Sequence, residues 1–364
     1  MKYKKILQVS IFSTIIAGNI LAQTYSESKH IEKVFKTNPS TTVDINNKYG
    51  ILHFIPWEKD SVRIEIELSV KSNNLSRLNK TIDNIDFNFT DTDYYIIAKT
   101  EFGRRYNNLL YELRNLAETF IPSENNVNID YTVFIPENIN LKIQNKYGDI
   151  YIDDHSGDIN LILSNGDFKA NNLNGQSNIE LNMGDGVVNY IKKSKLNISY
   201  SDFRIKEAED LIINTRSSKI NIDKSNTVKI YSRRDKYFIE RSNNISGETY
   251  FSDLWVYELG SNLNLILKYG SLNLEYIDKN FSFLNINSNY ADLNLIFEKN
   301  AAYQIDITNK NALFSYPEDL AKLEEKAIDD DEKEFIIYGT IGNIDTSSKV
   351  KISAIKGNIN IIHK

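Results

Sequence analysis

Asn145–Phe168 reads NKYGDIYIDDHSGDINLILSNGDF. One phrase occurs in it three times: Gly-Asp and then an apolar residue open a short alternating run at Gly148, Gly157 and Gly166, nine residues apart. A short fixed period marks a repeat architecture. A strand of five or six residues plus a corner needs about nine residues, so two such units make a coil of about 18. Coils stacked about 4.8 Å apart pair through parallel main-chain hydrogen bonds.

The phrase extends in both directions. NKYG also stands at Asn47–Gly50, and KYG at Lys268–Gly270. Corner markers recur at Asp149, Asp167, Asp185, Asp202, Lys219, Asp235, Asp253, Ser271 and Asp292, at intervals of 16 to 21 residues. The predicted fold is therefore all-β: a parallel β-solenoid (β-helix) of about 18-residue coils, with a small α+β insertion near the N-terminus. An antiparallel sandwich also places strands every 8–12 residues. The return of one corner motif at alternate turns favours the solenoid.

The chain divides accordingly. Residues 1–22 have the form of a signal peptide, with Lys2, Lys4 and Lys5 before an apolar run and Leu21-Ala22-Gln23 at its end. A polar lead-in spans 23–40, the first coils 41–71, and an α+β insertion or cap 72–128. In that insertion Leu75, Leu78, Ile82 and Ile85 have helical spacing, Phe87–Phe89 and Tyr94–Ala98 read as a hairpin, and Arg105–Phe120 as a second helix. The β-solenoid proper covers 129–317. An acidic insertion, read as a short helix or loop, spans 318–333, and final coils 334–364. Open ends of a repeat stack need covering, and the Arg105–Phe120 helix and the acidic segment are the candidates.

Composition agrees with strands. Tyr (22) and Phe (17) are plentiful among 364 residues, and aromatic and β-branched residues suit a pleated surface. There is no Cys, so neither a disulfide nor a lipidated cysteine is available. Without residues 1–22 the formal charge falls from −6 to −9, which disfavours nucleic acid as a partner. No stretch beyond residue 22 is apolar enough to span a bilayer as a helix.

With its export signal, its NKYG and SNGD corners and its GNI/GDI coils, the chain resembles the bacterial "putative adhesin" β-strand-repeat family, related to the head-GIN adhesin-like domains. The resemblance covers roughly 41–55 and 127–364. It implies a pectin-lyase-like β-helix on or near the cell envelope, without an assigned enzymatic activity. It carries over no functional residues.

Several clusters could bear chemistry. Asp153-Asp154-His155 has the residue types of a metal or acid–base site, but Asp is also a default turn residue, and the cluster reads as an exposed corner. Asp329-Asp330-Asp331-Glu332 reads as a solvated charge run. His30, His53, His155 and His363 lack any zinc-ligand spacing. Arg204 and Arg233-Arg234-Asp235 could line an acidic-glycan groove if they shared a face, but read as surface ladders. Tyr147, Tyr200, Tyr231, Tyr257, Tyr269 and Tyr290 could stack on sugars or simply pack at corners. No GxSxG or P-loop pattern occurs. No catalytic or metal residue is assigned, no cofactor is expected, and binding residues stay unassigned.

The expected function is a non-enzymatic, exported adhesin or scaffold that binds a glycan or an envelope protein. Its expected place is the periplasm, the outer-membrane surface or outside the cell. A polysaccharide-active β-helix enzyme (lyase- or hydrolase-like) and a periplasmic envelope-sensing partner are the alternatives.

Overall fold

The computed structural model describes residues 24–103, 126–329, 331, 333–342 and 346–364. The expected signal segment and the expected Arg105–Phe120 helix lie outside the described residues. Within them the chain is all-β, with a single α-helix, and its 22 strands form one long, mostly parallel hydrogen-bonded sheet.

The centre is a parallel ladder. Phe168–Asn182, Asp185–Ser199, Asp202–Arg216 and Lys219–Arg233 each pair with the next, 18 and then 17 residues further on: Phe168 with Gly186, Asp185 with Asp202, Lys219 with Lys236. Burial alternates along each strand, as a period of two requires. Leu173, Ile179, Leu181, Phe203, Ile205, Ile213 and Ile220 face one continuous core. Each such side chain contributes about 1.5–3 kcal/mol by leaving water.

The corners explain the repeated phrase. Tyr147, Asn165, Met183, Tyr200, Ser217, Arg234, Phe251, Tyr269 and Tyr290 all have left-handed backbone. Their main-chain N–H groups reach the neighbouring repeat, as from Tyr147 to the Ser164 carbonyl and from Tyr200 to the Arg216 carbonyl, both 3.0 Å. The residue after each is Gly148, Gly166, Gly184, Ser201, Ser218, Asp235, Ser252, Gly270 or Ala291, so it is always small or, once, a buried Asp. A Cβ at Gly166 would lie 2.2 Å from the Gly148 carbonyl oxygen, which is why the early repeats need glycine there.

This register corrects one marker. Lys236, not Asp235, is the partner of Lys219. Asp235 occupies the inward position that glycine holds elsewhere. From the sequence, its identity as an Asp near the expected spacing placed it one residue out of step.

The sheet ends depart from chain order. Thr42–Asn46 and Leu52–Trp57 lie between Tyr95–Phe102 and Val127–Pro136 on one side and Asn140–Lys146 and Ile150–Ile152 on the other. The two NKYG corners therefore touch: the Asn47 N–H donates to the Gln144 carbonyl at 2.9 Å, and the Tyr49 and Tyr147 rings stack 5.5 Å apart. The described strands between them lie outward of the corners: Val127–Pro136 pairs with Leu52–Trp57 and, antiparallel, with Ser61–Ser72, which pairs antiparallel with the N-terminal Tyr25–Lys36. The Leu75–Asp83 helix, capped by Asn74, and the Ile85–Asp91/Tyr95–Phe102 hairpin stand where their patterns predict.

At the other end most of the acidic segment is a strand rather than the expected helix or loop. After one 3₁₀ turn at Glu318–Leu320, Ala321–Asp329 is a strand antiparallel to Glu334–Ile341, which pairs antiparallel with Tyr303–Lys310. Glu, Lys and Ala are good helix formers, but the preference is worth less than about 1 kcal/mol per residue, and an available strand edge outweighs it. The C-terminal Lys349–Ile355 is threaded between Phe283–Phe297 and Tyr303–Lys310. The outermost strands, Tyr25–Lys36 and Ala321–Asp329, carry charges along most of their length, which discourages edge-to-edge pairing with other chains.

Candidate functional site

The outward side chains form columns that run across the repeats. Asn pairs bond amide to amide: Asn178 to Asn160 (2.9 Å), Asn214 to Asn197 (2.9 Å), Asn262 to Asn244 (2.8 Å), Asn285 to Asn264 (2.8 Å) and Asn360 to Asn294 (3.0 Å). An amide has two donors and an acceptor with two lone pairs, so each pair keeps polar capacity for solvent or a ligand.

Aromatic columns also run from repeat to repeat. Phe251 and Tyr269 stack with centroids 4.7 Å apart, Tyr269 and Tyr290 with 5.3 Å, and Phe238 and Trp255 with 4.9 Å. Lys356 Nζ lies 5.0 Å from the Tyr290 centroid. Phe251 is 56% exposed, and Tyr269 and Tyr290 nearly as much. Rings stacked at the strand spacing cover one another's faces and show solvent their edges. The column is therefore an apolar ridge rather than a row of sugar-stacking platforms. Of the six tyrosines singled out in the sequence, Tyr200, Tyr231, Tyr257, Tyr269 and Tyr290 are exposed, while Tyr147 is partly covered by Tyr49 and the Lys146 ammonium.

Asp153-Asp154-His155 separates. Asp153 points out and meets His53 Nε2 at 3.2 Å. Asp154 accepts from the Asn172 amide at 2.7 Å. His155 is not an exposed corner residue: it is fully buried, in register with Leu173. The bend after Asp154 turns its ring into the core, and burial lowers its pKa to about 4, outweighing the Ile139 carbonyl and the charges of Glu137 and Asp158. The other histidines are dispersed. His30 pairs with Glu67, and His363 stacks against Phe297 and Tyr303. No three His, Asp or Glu side chains among the described residues converge as metal ligands.

The Arg-Arg-Asp run also separates. Arg234 is the left-handed corner residue, whereas Asp235 turns inward and is 2% exposed. Asp235 accepts from Thr215 Oγ1 (2.6 Å), Ser232 Oγ (2.7 Å) and the main-chain N–H groups of Ser218 (2.8 Å) and Arg233 (2.7 Å). It belongs to a one-way inner relay: the N–H of Gly184 donates to Ser201 Oγ, that of Ser201 to Ser218 Oγ, that of Ser218 to Asp235, and that of Asp235 to Ser252 Oγ. The surface-ladder reading is thus corrected for Asp235. Arg204 does lie on the surface, with its guanidinium 3.0 Å from Asp223. No groove collects Arg204, Arg234 and Asp235.

Residue-type reading missed the inner relay and the Phe238–Trp255 and Phe251–Tyr269 stacks. Their signal was present as spacings of 17 and 18 residues, but it shows only once the register is known.

No family model matches the chain, and no curated protein matches it. Solved structures are similar to it, three of which are these. A "putative cell adhesion protein" from Clostridium sporogenes ATCC 15579 is 13% identical, with 93% of this chain and 100% of that one covered and a TM-score of 0.20. A "putative adhesin" from Bacteroides fragilis NCTC 9343 is 12% identical over 67% of this chain and 96% of that one, with a TM-score of 0.35. A "putative lipid binding protein" from Parabacteroides distasonis ATCC 8503 is 10% identical over 75% and 94%, with a TM-score of 0.30.

Proposed function

We propose that this chain is an exported, non-enzymatic β-solenoid acting at the cell envelope as an adhesin or scaffold, with a glycan or a protein surface as its ligand. The parallel register of 17–18 residues supports the winding, and Lys2, Lys4, Lys5 and the apolar run after them support export. The observation that carries the binding reading is the set of outward columns: Asn pairs on the strands and an apolar aromatic ridge at the corners, both repeated from strand to strand. Such a surface suits a ligand with its own repeat, bound through many weak contacts whose sum exceeds any one of them. In a polysaccharide-active enzyme a base and a charge-neutralising cation would have to meet. Asp235 and Arg234 lie on opposite sides of the chain, which removes the pair that reading relied on.

The test is a glycan array together with whole-cell binding, using the purified chain. Saturable binding, weakened at least tenfold when Phe251, Tyr269 and Tyr290 are all changed to Ser, is the expected result. Blank arrays and cells, or depolymerisation of an acidic polysaccharide, would overturn the proposal.

A further inference from the structure

The two strands that close the C-terminal end leave a gap beside them. Leu313–Ser315 pairs on one edge with Asn358–His363, and among the described residues it has no second strand neighbour. Main-chain groups of successive strand residues point to opposite edges. Since the Leu313 N–H donates to the Gly357 carbonyl, the N–H and C=O of Phe314 point away from that pairing. Their side of the strand borders a groove of about 430 Å³, a volume in the usual range for ligand pockets. Phe314, Tyr316, Leu323, Phe335 and Ile337 supply its apolar lining.

This edge differs from the outermost ones. Ala312–Pro317, ALFSYP, contains no charge, and Leu313 is 74% exposed. The Tyr25–Lys36 and Ala321–Asp329 edges are both charged. An uncharged strand edge over an apolar floor is a template for another strand. The charge beside it defines what kind. Residues 318–334 hold nine acids and three lysines, so their formal charge of −6 equals that of the whole chain and the remaining residues are neutral in sum. Glu324, Glu325 and Lys333 of that segment line the groove; Glu325 lies opposite Ile337, whereas the Glu324 carboxylate accepts from the Tyr338 hydroxyl.

We propose that this groove is a strand-accepting slot for an extended, basic segment of a partner polypeptide. The segment adds to the free edge of Leu313–Ser315 through main-chain hydrogen bonds. Its alternate apolar side chains enter between Phe314, Leu323 and Ile337, and its cations face Glu325 on that side and the acidic segment around it. Strand addition of this kind takes affinity from the backbone and specificity from every second side chain. The proposal does not depend on the adhesion reading, which concerns the outward columns.

The experiment uses the full chain and three labelled heptapeptides: one alternating lysine and valine, one alternating glutamate and valine, and the lysine–valine peptide N-methylated at alternate residues so that one edge cannot pair. Fluorescence anisotropy should show saturable binding of the first, roughly tenfold or more tighter than either of the others, a difference of about 1.4 kcal/mol. Amide exchange at Phe314 should slow on binding. The exposed pair Glu324→Lys/Glu325→Lys should lose that binding at least tenfold. Equal binding of the N-methylated peptide would reduce the effect to charge attraction and overturn the slot. So would no saturable binding, or binding indifferent to the charge reversal. A dimer in sedimentation velocity that the lysine–valine peptide dissociates would put a second copy in the groove and overturn the assignment to a basic partner. The comparison between peptides needs no variant, so the proposal stays testable if the double substitution misfolds.

Discussion

His155 shows how one buried position sets a pH limit. Its ring occupies a place that the next repeats fill with Leu173, Ile191 and Ala208. Burial disfavours the imidazolium, so the folded-state pKa drops from 6.5 to about 4. The unfolded chain therefore binds the proton first as pH falls. Stability is complete above about pH 6.5 and is lost through the window down to about pH 4, by about 3 kcal/mol for a shift of this size. His155→Leu follows the neighbouring repeat and removes the titration. Urea midpoints should fall between pH 7 and pH 4.5 in the wild type and fall much less in the variant. His363, also lowered by burial, remains in both proteins, so the difference belongs to His155. Parallel pH slopes for the two proteins would refute the account.

The element that makes the repeat work is the corner, with two adjacent residues under opposite constraints. The first takes left-handed backbone with its side chain outward, which Asn tolerates and Tyr, Phe and Met endure at a cost of about 1–2 kcal/mol each. Where the second is glycine, as at Gly148, Gly166 and Gly184, it packs so tightly on the neighbouring repeat that a Cβ collides with a backbone carbonyl. Substituting neighbours should thus give unequal results. Asn165→Gly relaxes a φ of 56° and should change stability by less than about 1 kcal/mol. Gly166→Ala places a methyl 2.2 Å from the Gly148 oxygen and 2.7 Å from its carbon, both backbone, and should cost more than about 2 kcal/mol. Thermal or urea unfolding of the two variants decides it, and comparable losses would mean that the repeats can slide apart. Much of this was legible in the sequence. Gly-Asp phrases exposed the period, and alternation around Ile159, Leu161 and Leu163 gave the inward face. The fate of the polar clusters was not, because whether Asp153, His155 or Asp235 faces in or out turns on a single residue of register. The acidic strand was illegible for another reason: its partner, Glu334–Ile341, outweighs a helical local pattern only after the chain has folded back.

At the scale of the whole molecule, chain order and stacking order disagree at both ends, and this couples the ends to the chain's own completion. Thr42–Trp57 and Asn140–Ile152 are neighbours across a segment that must first leave and return. Lys349–Ile355 is the shared partner of Phe283–Phe297 and Tyr303–Lys310, so the first lacks its outer neighbour and the second its inner one until the last residues arrive. Such pairings carry loop-closure entropy before any contact repays it. The central ladder, in contrast, pairs residues 17 or 18 apart and can form by adding one repeat to the next. Stopping the chain after Ser348 should therefore do more than remove two strands. Tyr303–Lys310 would keep only its antiparallel neighbour Glu334–Ile341, as a three-stranded antiparallel sheet with Ala321–Asp329 cut off from the long sheet. Hydrogen exchange should show amide protection lost throughout residues 303–341 and retained from Phe168 to Arg233. Protection that persists at 303–310 would mean that this strand had docked directly onto Phe283–Asn289, and the C-terminal strand would then be a late addition rather than the piece that joins the end to the stack.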